Sequence, residues 1–419
     1  MRKQLFFWFI LFIGFYSLSA QVVEDSVIMG PNYTNDVFYS LSSGNTTEVG
    51  GADWTVAFYN ESISAAIMIN SGRGVKLYRV SDDISTFSDV LDTANLSNWD
   101  ELYDDYSTWS EFSAFEDMST TSSSNYGWGE YNSANHQVTA SRIFVIQTVN
   151  GDFYKVMVVS KITGTFTYRY ATLDNSIDTT LTITPADYLN TNYAYLNMDN
   201  HTLLNLEPNN TTWDLVFKKY NAQYSPTVHY PVTGVLNNFG VEIAKVENLP
   251  NSEASYDGLV LSPDRNTIGW DWKSFNNTTY TYDLTDSLTY FVKTIDNKIY
   301  KLYFTEFAGG STGVIKFNKE EIAQDTTNIN DINSIVNYTI YPNPTKGQIE
   351  LVLDLNANEN LQIAVSDMFG RTVYQSNSIN ANAGLNAYRL DLSNNTAGVY
   401  LIQLSNGKNI TTQKVILNK

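Results

Sequence analysis

The sequence predicts an all-β protein: two similar antiparallel β modules in tandem, then a small β-sandwich. Three observations predict it. Strand formers dominate, with 29 Tyr and 21 Phe among 43% hydrophobic residues, and Asn, Asp, Gly and Ser punctuate the apolar runs. The chain resembles itself at long range, the mark of an internal duplication. Residues 335–419 alternate apolar and polar positions between closely spaced turn residues, which suits a compact antiparallel sandwich.

The first element is not part of the fold. Arg2 and Lys3 precede an apolar run from Leu5 to Phe15, and Ser17 to Ala20 supply small residues before a polar start at Gln21. That order predicts a signal peptide over residues 1–20, cleaved after Ala20. The run is too short for a membrane-spanning helix, which needs ~20 apolar residues, and no later stretch is longer; the mature chain is therefore expected to carry no integral membrane segment. The sequence has no cysteine, so disulfides, thiolate metal sites, a cysteine nucleophile and a lipid-modified cysteine are excluded. With 25 Lys and Arg against 44 Asp and Glu, the formal charge is -19. Such a surface repels nucleic acid, so no nucleic-acid partner is expected.

The first module is predicted over residues 25–178 and the second over 179–324. Asp53 to Phe58, opened by Trp54, matches Thr212 to Phe217, opened by Trp213, and the segments before them pair Tyr39 with Tyr195. Tyr126-Gly-Trp128 matches Ile268-Gly-Trp270. Phe144 to Lys155 matches Phe291 to Lys301, each a hairpin around an Asn-Gly or Asp-Asn turn. A last strand closes each copy, near Thr165 to Ala171 and Gly313 to Phe317. Residues 82–135 are an insert of the first copy, expected to hold a short helix and a long loop. Its acidic run, Asp100 to Asp105, lacks the spacing of a calcium loop and reads as solvated surface. Residues 325–334 form a polar linker.

The tail carries Tyr341-Pro-Asn-Pro344, Ser366 to Arg371, Leu392-Ser393, Ala397 to Leu401 and Lys414 to Ile416. In that order these segments resemble the type A C-terminal sorting domain of type IX secretion. The resemblance covers residues 335–419 and implies the type IX machinery as a partner, with delivery to the outer cell surface or the medium. In the duplicated region, Thr212 to Phe217, Ile268 to Lys273, Tyr290 to Thr294 and Tyr300 to Leu302 resemble the HmuY-like family of secreted haem-binding β proteins. That resemblance implies an all-β fold, haem held by two axial His or Met side chains, and an outer-membrane haem receptor as partner. The second module of this chain, its sorting tail and its lack of a lipid-modified cysteine depart from the family pattern.

Haem iron takes imidazole or thioether donors. The three histidines are His136, His201 and His229. His201 falls in a hairpin turn, leaving His229 with Met198, or His136 with Met68 or Met118, as axial pairs. Trp128, Trp270 and Trp272 are the aromatic candidates for a pocket, with Trp270 and Trp272 expected on one face of a strand. The same rings would also serve as a platform for sugars. No metalloprotease, nucleophile-elbow or phosphate-loop motif is present, so no catalytic residue and no cofactor other than haem are assigned. The expected function is non-catalytic ligand binding outside the cell with haem first. A glycan- or protein-binding surface module without a metal centre comes second, and a glycan-active enzyme third.

Overall fold

The computed structural model describes the chain except residues 1–20, 61–64, 105–113, 116–124, 133, 189, 226–227, 325–331, 333, 368–369, 408 and 419. The expected signal peptide, most of the expected linker, and Met118 therefore lie outside the described residues. Two units emerge, residues 1–324 and 325–419. Both are built of antiparallel strands, and among the described residues no helix is long and apolar enough to cross a membrane.

The first unit opens with β1 (Val23–Ile28), β2 (Asn35–Tyr39) and β3 (Thr46–Gly50). A second stretch holds β4 (Val56–Tyr59), β5 (Ile67–Ile69), β6 (Lys76–Ser81), β7 (Asp100–Leu102), β8 (Gly129–Asn132) and β9 (Gln137–Ala140). It continues through β10 (Ile143–Gln147), β11 (Phe153–Ile162), β12 (Thr165–Thr172), β13 (Asp178–Ile183), β14 (Tyr193–Asn197) and β15 (Thr202–Leu204). The third stretch holds β16 (Leu215–Ser225), β17 (Val228–Asn237), β18 (Glu242–Glu247) and β19 (Lys273–Asn276). It ends with β20 (Thr281–Leu284), β21 (Leu288–Lys293), β22 (Lys298–Phe307) and β23 (Val314–Gln324).

These strands make two sandwich lobes. Lobe 1 is continuous in sequence, from β4 to β15. Its large sheet runs β13-β12-β11-β10-β6-β7, with the β8–β9 hairpin attached through β9, and its small sheet runs β15-β14-β4-β5. Lobe 2 is discontinuous. Its large sheet runs β1-β23-β22-β21-β18 and its small sheet β17-β16-β2-β3, so the N-terminal arm β1–β3 closes a lobe otherwise built from residues 215–324. The duplication is present, but the boundaries read from sequence are displaced: residues 25–178 and 179–324 are not the structural halves. Residues 54–204 form one lobe, set between the two segments of the other.

Strand alternation explains how four sheets pack. Val56 and Phe58 point into the core of lobe 1, with Trp128, Phe144, Val156 and Tyr168. Leu215 and Phe217 point into the core of lobe 2, with Trp272, Tyr290 and Phe317. The residues between them, Ala57 and Val216, face the opposite way and join Phe38, Trp54, Met68, Tyr195 and Trp213 in a third apolar cluster. Around β4, β5, β14, β2 and the start of β16 the small sheets are thus buried on both faces and form the seam between lobes. The seam shows the internal symmetry directly: Tyr195 meets Trp54 edge-on at 5.3 Å, and Phe38 meets Trp213 edge-on at 4.8 Å.

Two sequence matches slip against this symmetry. Tyr195 lies opposite Ala57, while the residue opposite the equivalent Val216 is Phe38, not Tyr39. A slip of one residue reverses the face of a strand, which is why Tyr39 sits in the core of lobe 2 and Tyr195 in the seam. The partner of Trp128 is Trp272, not Trp270. Both indoles are fully buried ahead of a hairpin, and the residue after each hairpin donates its N–H to the tryptophan carbonyl: Ser141 to Trp128 at 3.1 Å, Thr285 to Trp272 at 2.8 Å.

Among the described residues of the insert stand short 3-10 turns at Ile84–Ser88 and Thr93–Asn98 and β7, and no longer helix. The acidic run is likewise not uniformly solvated, because Asp104 is buried.

The second unit is a sandwich of its own. One sheet joins β24 (Ile335–Tyr341), β25 (Gln348–Leu355) and β29 (Gly384–Asp391). The other joins β27 (Thr372–Gln375), β26 (Glu359–Asp367), β30 (Gly398–Ser405) and β31 (Ile410–Leu417), with β28 (Ile379–Ala381) beside β26. Its motif residues are structural clasps. Asn343 acts as a short strand, donating Nδ2 to the Lys414 carbonyl at 3.0 Å and accepting the Ile416 N–H at 2.9 Å. Arg371 closes its turn onto Asp367 through its backbone N–H and its Nε.

Candidate ligand groove

Lobe 2 extends a long hairpin, β16–β17, past the end of the pairing between β16 and β2, which spans only Leu215 to Phe217. Lobe 1 fills the vacated side with the turn Ser71–Arg73. A Cβ on Gly72 would sit 2.4 Å from the backbone of Lys219 and Tyr220, so only glycine allows this approach. On the other flank, the segment before β19 crosses β17. Gly269 and Val235 exchange both backbone hydrogen bonds, at 2.9 and 3.1 Å. Gly269 holds φ at +66°, and a Cβ on Gly234 would meet the Gly269 oxygen at 2.6 Å. The root of the hairpin is thereby held between two close backbone approaches.

Beyond them opens a groove of about 470 Å³, lined by Tyr103 and Asp104 from lobe 1 and by Tyr220, Asn221, Ala222, Gln223, His229, Asn266, Gly269, Trp270 and Asp271 from lobe 2. That volume falls in the range of small-molecule sites. His229 lies flat on Tyr103, with ring centres 3.8 Å apart and planes within 4°. Trp270 is half-buried, with the exposed ring of Tyr224 6.1 Å from it. Around these rings stand the amides of Asn221, Gln223 and Asn266.

The carboxylates are already engaged. Asp104 accepts the Ile69 N–H at 3.0 Å and the Ala114 N–H at 2.8 Å, one on each oxygen, and so pins the segment that carries Tyr103. Its complete burial pushes its pKa up to about 7 against the opposing pull of those two bonds and of Lys218 and Arg265. Asp271 pairs with Lys245 at 3.1 Å. No Lys or Arg is among the described residues lining the groove.

Behind the groove, the seam holds a group of charges: Asp36 with Arg73 at 2.7 Å and Lys218 at 3.8 Å, Glu207 on Tyr195 at 2.5 Å, and Arg265 on Tyr193 at 3.1 Å. The cavity they surround is only about 30 Å³, room for a water but not for a porphyrin.

The residues singled out from sequence scatter. His229 and Trp270 line the groove. His136 is exposed on the β8–β9 turn, where its Nδ1 lies 2.6 Å from the Tyr131 hydroxyl. Met198 is wholly buried in lobe 1, its sulfur 3.8 Å from the Tyr168 hydroxyl, and Met68 is buried in the seam. Among the described residues neither axial pair, His229 with Met198 or His136 with Met68, is assembled: Met198 lies in the core of lobe 1 and Met68 lines the small seam cavity. Trp128 and Trp272 are core residues; Trp128 donates to the Ala65 carbonyl at 3.0 Å and Trp272 stacks on Phe304 at 3.8 Å. Trp270 and Trp272 do not share a strand face: they sit in the turn before β19, one on the groove and one inside. Tyr103, Asn221, Gln223, Asn266 and Asp271 went unrecognised, since nothing in their local pattern separates them from ordinary strand and loop residues.

Comparison with known proteins identifies the C-terminal unit. Residues 339–418 match the secretion system C-terminal sorting domain. That unit is a type IX sorting domain, and the chain is delivered by type IX secretion to the cell surface or outside. No curated protein matches the chain. Among solved structures, apo PinO from Porphyromonas gingivitis aligns over 73% of this chain and 100% of its own at 10% identity, with a TM-score of 0.21. PorZ, a surface component of the type IX secretion system of Porphyromonas gingivalis, aligns over 69% of this chain and 41% of its own at 11% identity and a TM-score of 0.16. The ectodomain of the C. elegans fusion protein EFF-1 aligns over 96% and 95% at 7% identity, also with a TM-score of 0.16. Likenesses this distant say nothing about the groove.

Proposed function

We propose that the secreted chain is a non-catalytic binding protein and that its ligand lies in the groove between the Tyr103–His229 stack and Trp270. The observation that carries this reading is that both lobes contribute to one groove whose walls are tightly braced: Gly72 against β16, Gly269 against β17, and Asp104 behind Tyr103. A preorganised concave site with a few polar groups and aromatic walls is what small-ligand recognition requires. Both lining carboxylates are held in other interactions, which supports binding over acid–base chemistry.

Haem is the second reading, and His229 is the observation that favours it, since it places an imidazole in the groove. Two features set it second. No other His and no Met is among the described lining residues, and the lining has carboxylates but no cation for the haem propionates.

The test is a titration of residues 21–419 with haemin and with a panel of oligosaccharides, comparing wild type with Trp270→Ala and Tyr103→Ala. Saturable binding to any member that is lost in either variant supports the groove. A shifted Soret band abolished by His229→Ala selects haem. Binding indifferent to all three substitutions sinks the reading.

A further inference from the structure

We infer that the groove takes a neutral saccharide, with Trp270 as the stacking face and Gln223, Asn266 and Asn221 as the hydroxyl partners; this rests on the groove being the binding site. A pyranose presents an apolar C–H face beside a rim of hydroxyls that both donate and accept. A ligand of that kind asks for an aromatic face next to groups that also do both. Side-chain amides do so, whereas carboxylates only accept and ammonium or guanidinium groups only donate. The groove supplies three amides from β16 and from the turn before β19, on the same wall system as the half-buried Trp270.

Charge narrows the class further. Asp104 is closed from solvent and holds two backbone N–H groups, and Asp271 carries Lys245 on one of its oxygens, so the negative charge at the groove is largely compensated. The absence of Lys and Arg from the described lining, on a chain of formal charge -19, disfavours phosphates, sulfates and carboxylated ligands. A neutral polar ligand is what remains. One more feature points the same way: the Asn221 Oδ1 is buried without a hydrogen-bond partner, an acceptor the protein leaves unused beneath the groove. A hydroxyl reaching it after a small adjustment of the amide would satisfy it, and an apolar ligand would not.

The experiment is isothermal titration of residues 21–419 with neutral tetrasaccharides (cello-, malto-, manno- and chitotetraose), alongside an oligogalacturonate and haemin as charged probes. At least one neutral tetrasaccharide is expected to bind saturably, with an affinity that hardly changes between low and high salt. Trp270→Ala should weaken it about tenfold or more. Gln223→Ala, at an exposed position that cannot upset the fold, should weaken it by a smaller factor at unchanged Tm. If only haemin or the oligogalacturonate binds and Trp270→Ala abolishes that binding, the saccharide inference falls while the groove stands. If nothing binds, or if binding survives both substitutions, the groove falls with it.

Discussion

Lobes 1 and 2 repeat one plan but are closed differently. Lobe 1 supplies every strand of its two sheets from one continuous stretch, so β13 and β14 return to pair with β12 and β4. Lobe 2 has no such return after β23. Its missing strands come from the start of the chain, β1 onto β23 and β2 onto β16. The arm brings Val27, Met29, Val37, Tyr39 and Leu41 into a core otherwise made about 175 residues or more later in sequence. Lys319 clasps it in place: it pairs with Asp25 at 3.1 Å, donates to the Leu41 carbonyl at 3.0 Å and bonds the Tyr39 hydroxyl. The difference teaches where the repeat is vulnerable: the same sandwich is locally closed in one copy and depends on a long-range contact in the other.

The largest expected effect breaks that dependence. Deleting residues 21–50 removes two strands that pair with β23 and β16 and opens one side of the lobe 2 core. Hydrogen exchange should lose protection across β16–β23 while β10–β12 of lobe 1 keep theirs. Protection surviving in β21–β23 would mean that the arm is an ornament rather than a closure. A smaller effect probes what the lobes share. Trp128→Ala and Trp272→Ala remove equivalent buried indoles, and each should cost about 3–5 kcal/mol by chemical denaturation. Similar losses would confirm the equivalence of the two sites; a loss below ~1 kcal/mol at either would break it.

How much of this was legible follows from the same comparison. The strands and the repeat could be read because alternation and Asn-Gly or Asp-Asn turns are local signals, and the hairpins at Phe144 and Phe291 were found that way. The tail could be read because its motifs, in order, resemble a known sorting domain, although the bonds they make, such as those of Asn343 to β31, reach across the unit. Lobe boundaries were not legible. Whether a strand pairs with its own copy or the other is settled by closure of a core, which leaves no local trace. The matches Tyr39 with Tyr195 and Trp128 with Trp270 slip by one or two residues because aromatic type alone does not carry the face and burial that decide equivalence. The groove was half legible for a related reason. His229 and Trp270 stood out by type, but the residues opposite them come from another lobe, and their convergence depends on a glycine at 72 that looks like any turn glycine. The methionines named with the histidines are buried, Met198 in the core of lobe 1 and Met68 at the seam cavity, because the same apolar thioether that can ligate iron also fills a core.

The smallest prediction turns the comparison into a titration. Thr55 and Asp214 occupy equivalent places beside Trp54 and Trp213, and each accepts a backbone N–H from the strand end across it. Thr55 Oγ1 takes that of Met198 at 3.1 Å, and Asp214 Oδ2 takes that of Leu41 at 2.8 Å. Lobe 1 makes the contact with a neutral group and lobe 2 with an ionisable one. Burial pushes the Asp214 pKa up to about 6, partly opposed by its backbone bonds to Leu41 and Ile295. An unfolded aspartate titrates near ~3.9, so the native state binds this proton more tightly than the unfolded state does. Below about pH 4 both states are protonated and burial carries no penalty. As pH rises through about 4 to 6 the unfolded chain ionises first, and stability falls by up to about 3 kcal/mol. Asp214→Thr copies lobe 1 into lobe 2 and should flatten this part of the pH–stability curve, at the loss of about 1 kcal/mol for the Ile295 bond. Asp104 still contributes a fall of its own up to about pH 7, so the measurement is the difference between wild type and variant in denaturant midpoints from pH 4 to 7. If that difference does not change with pH, Asp214 is ionised at no cost in the native fold, and the two lobes differ at this position in name only.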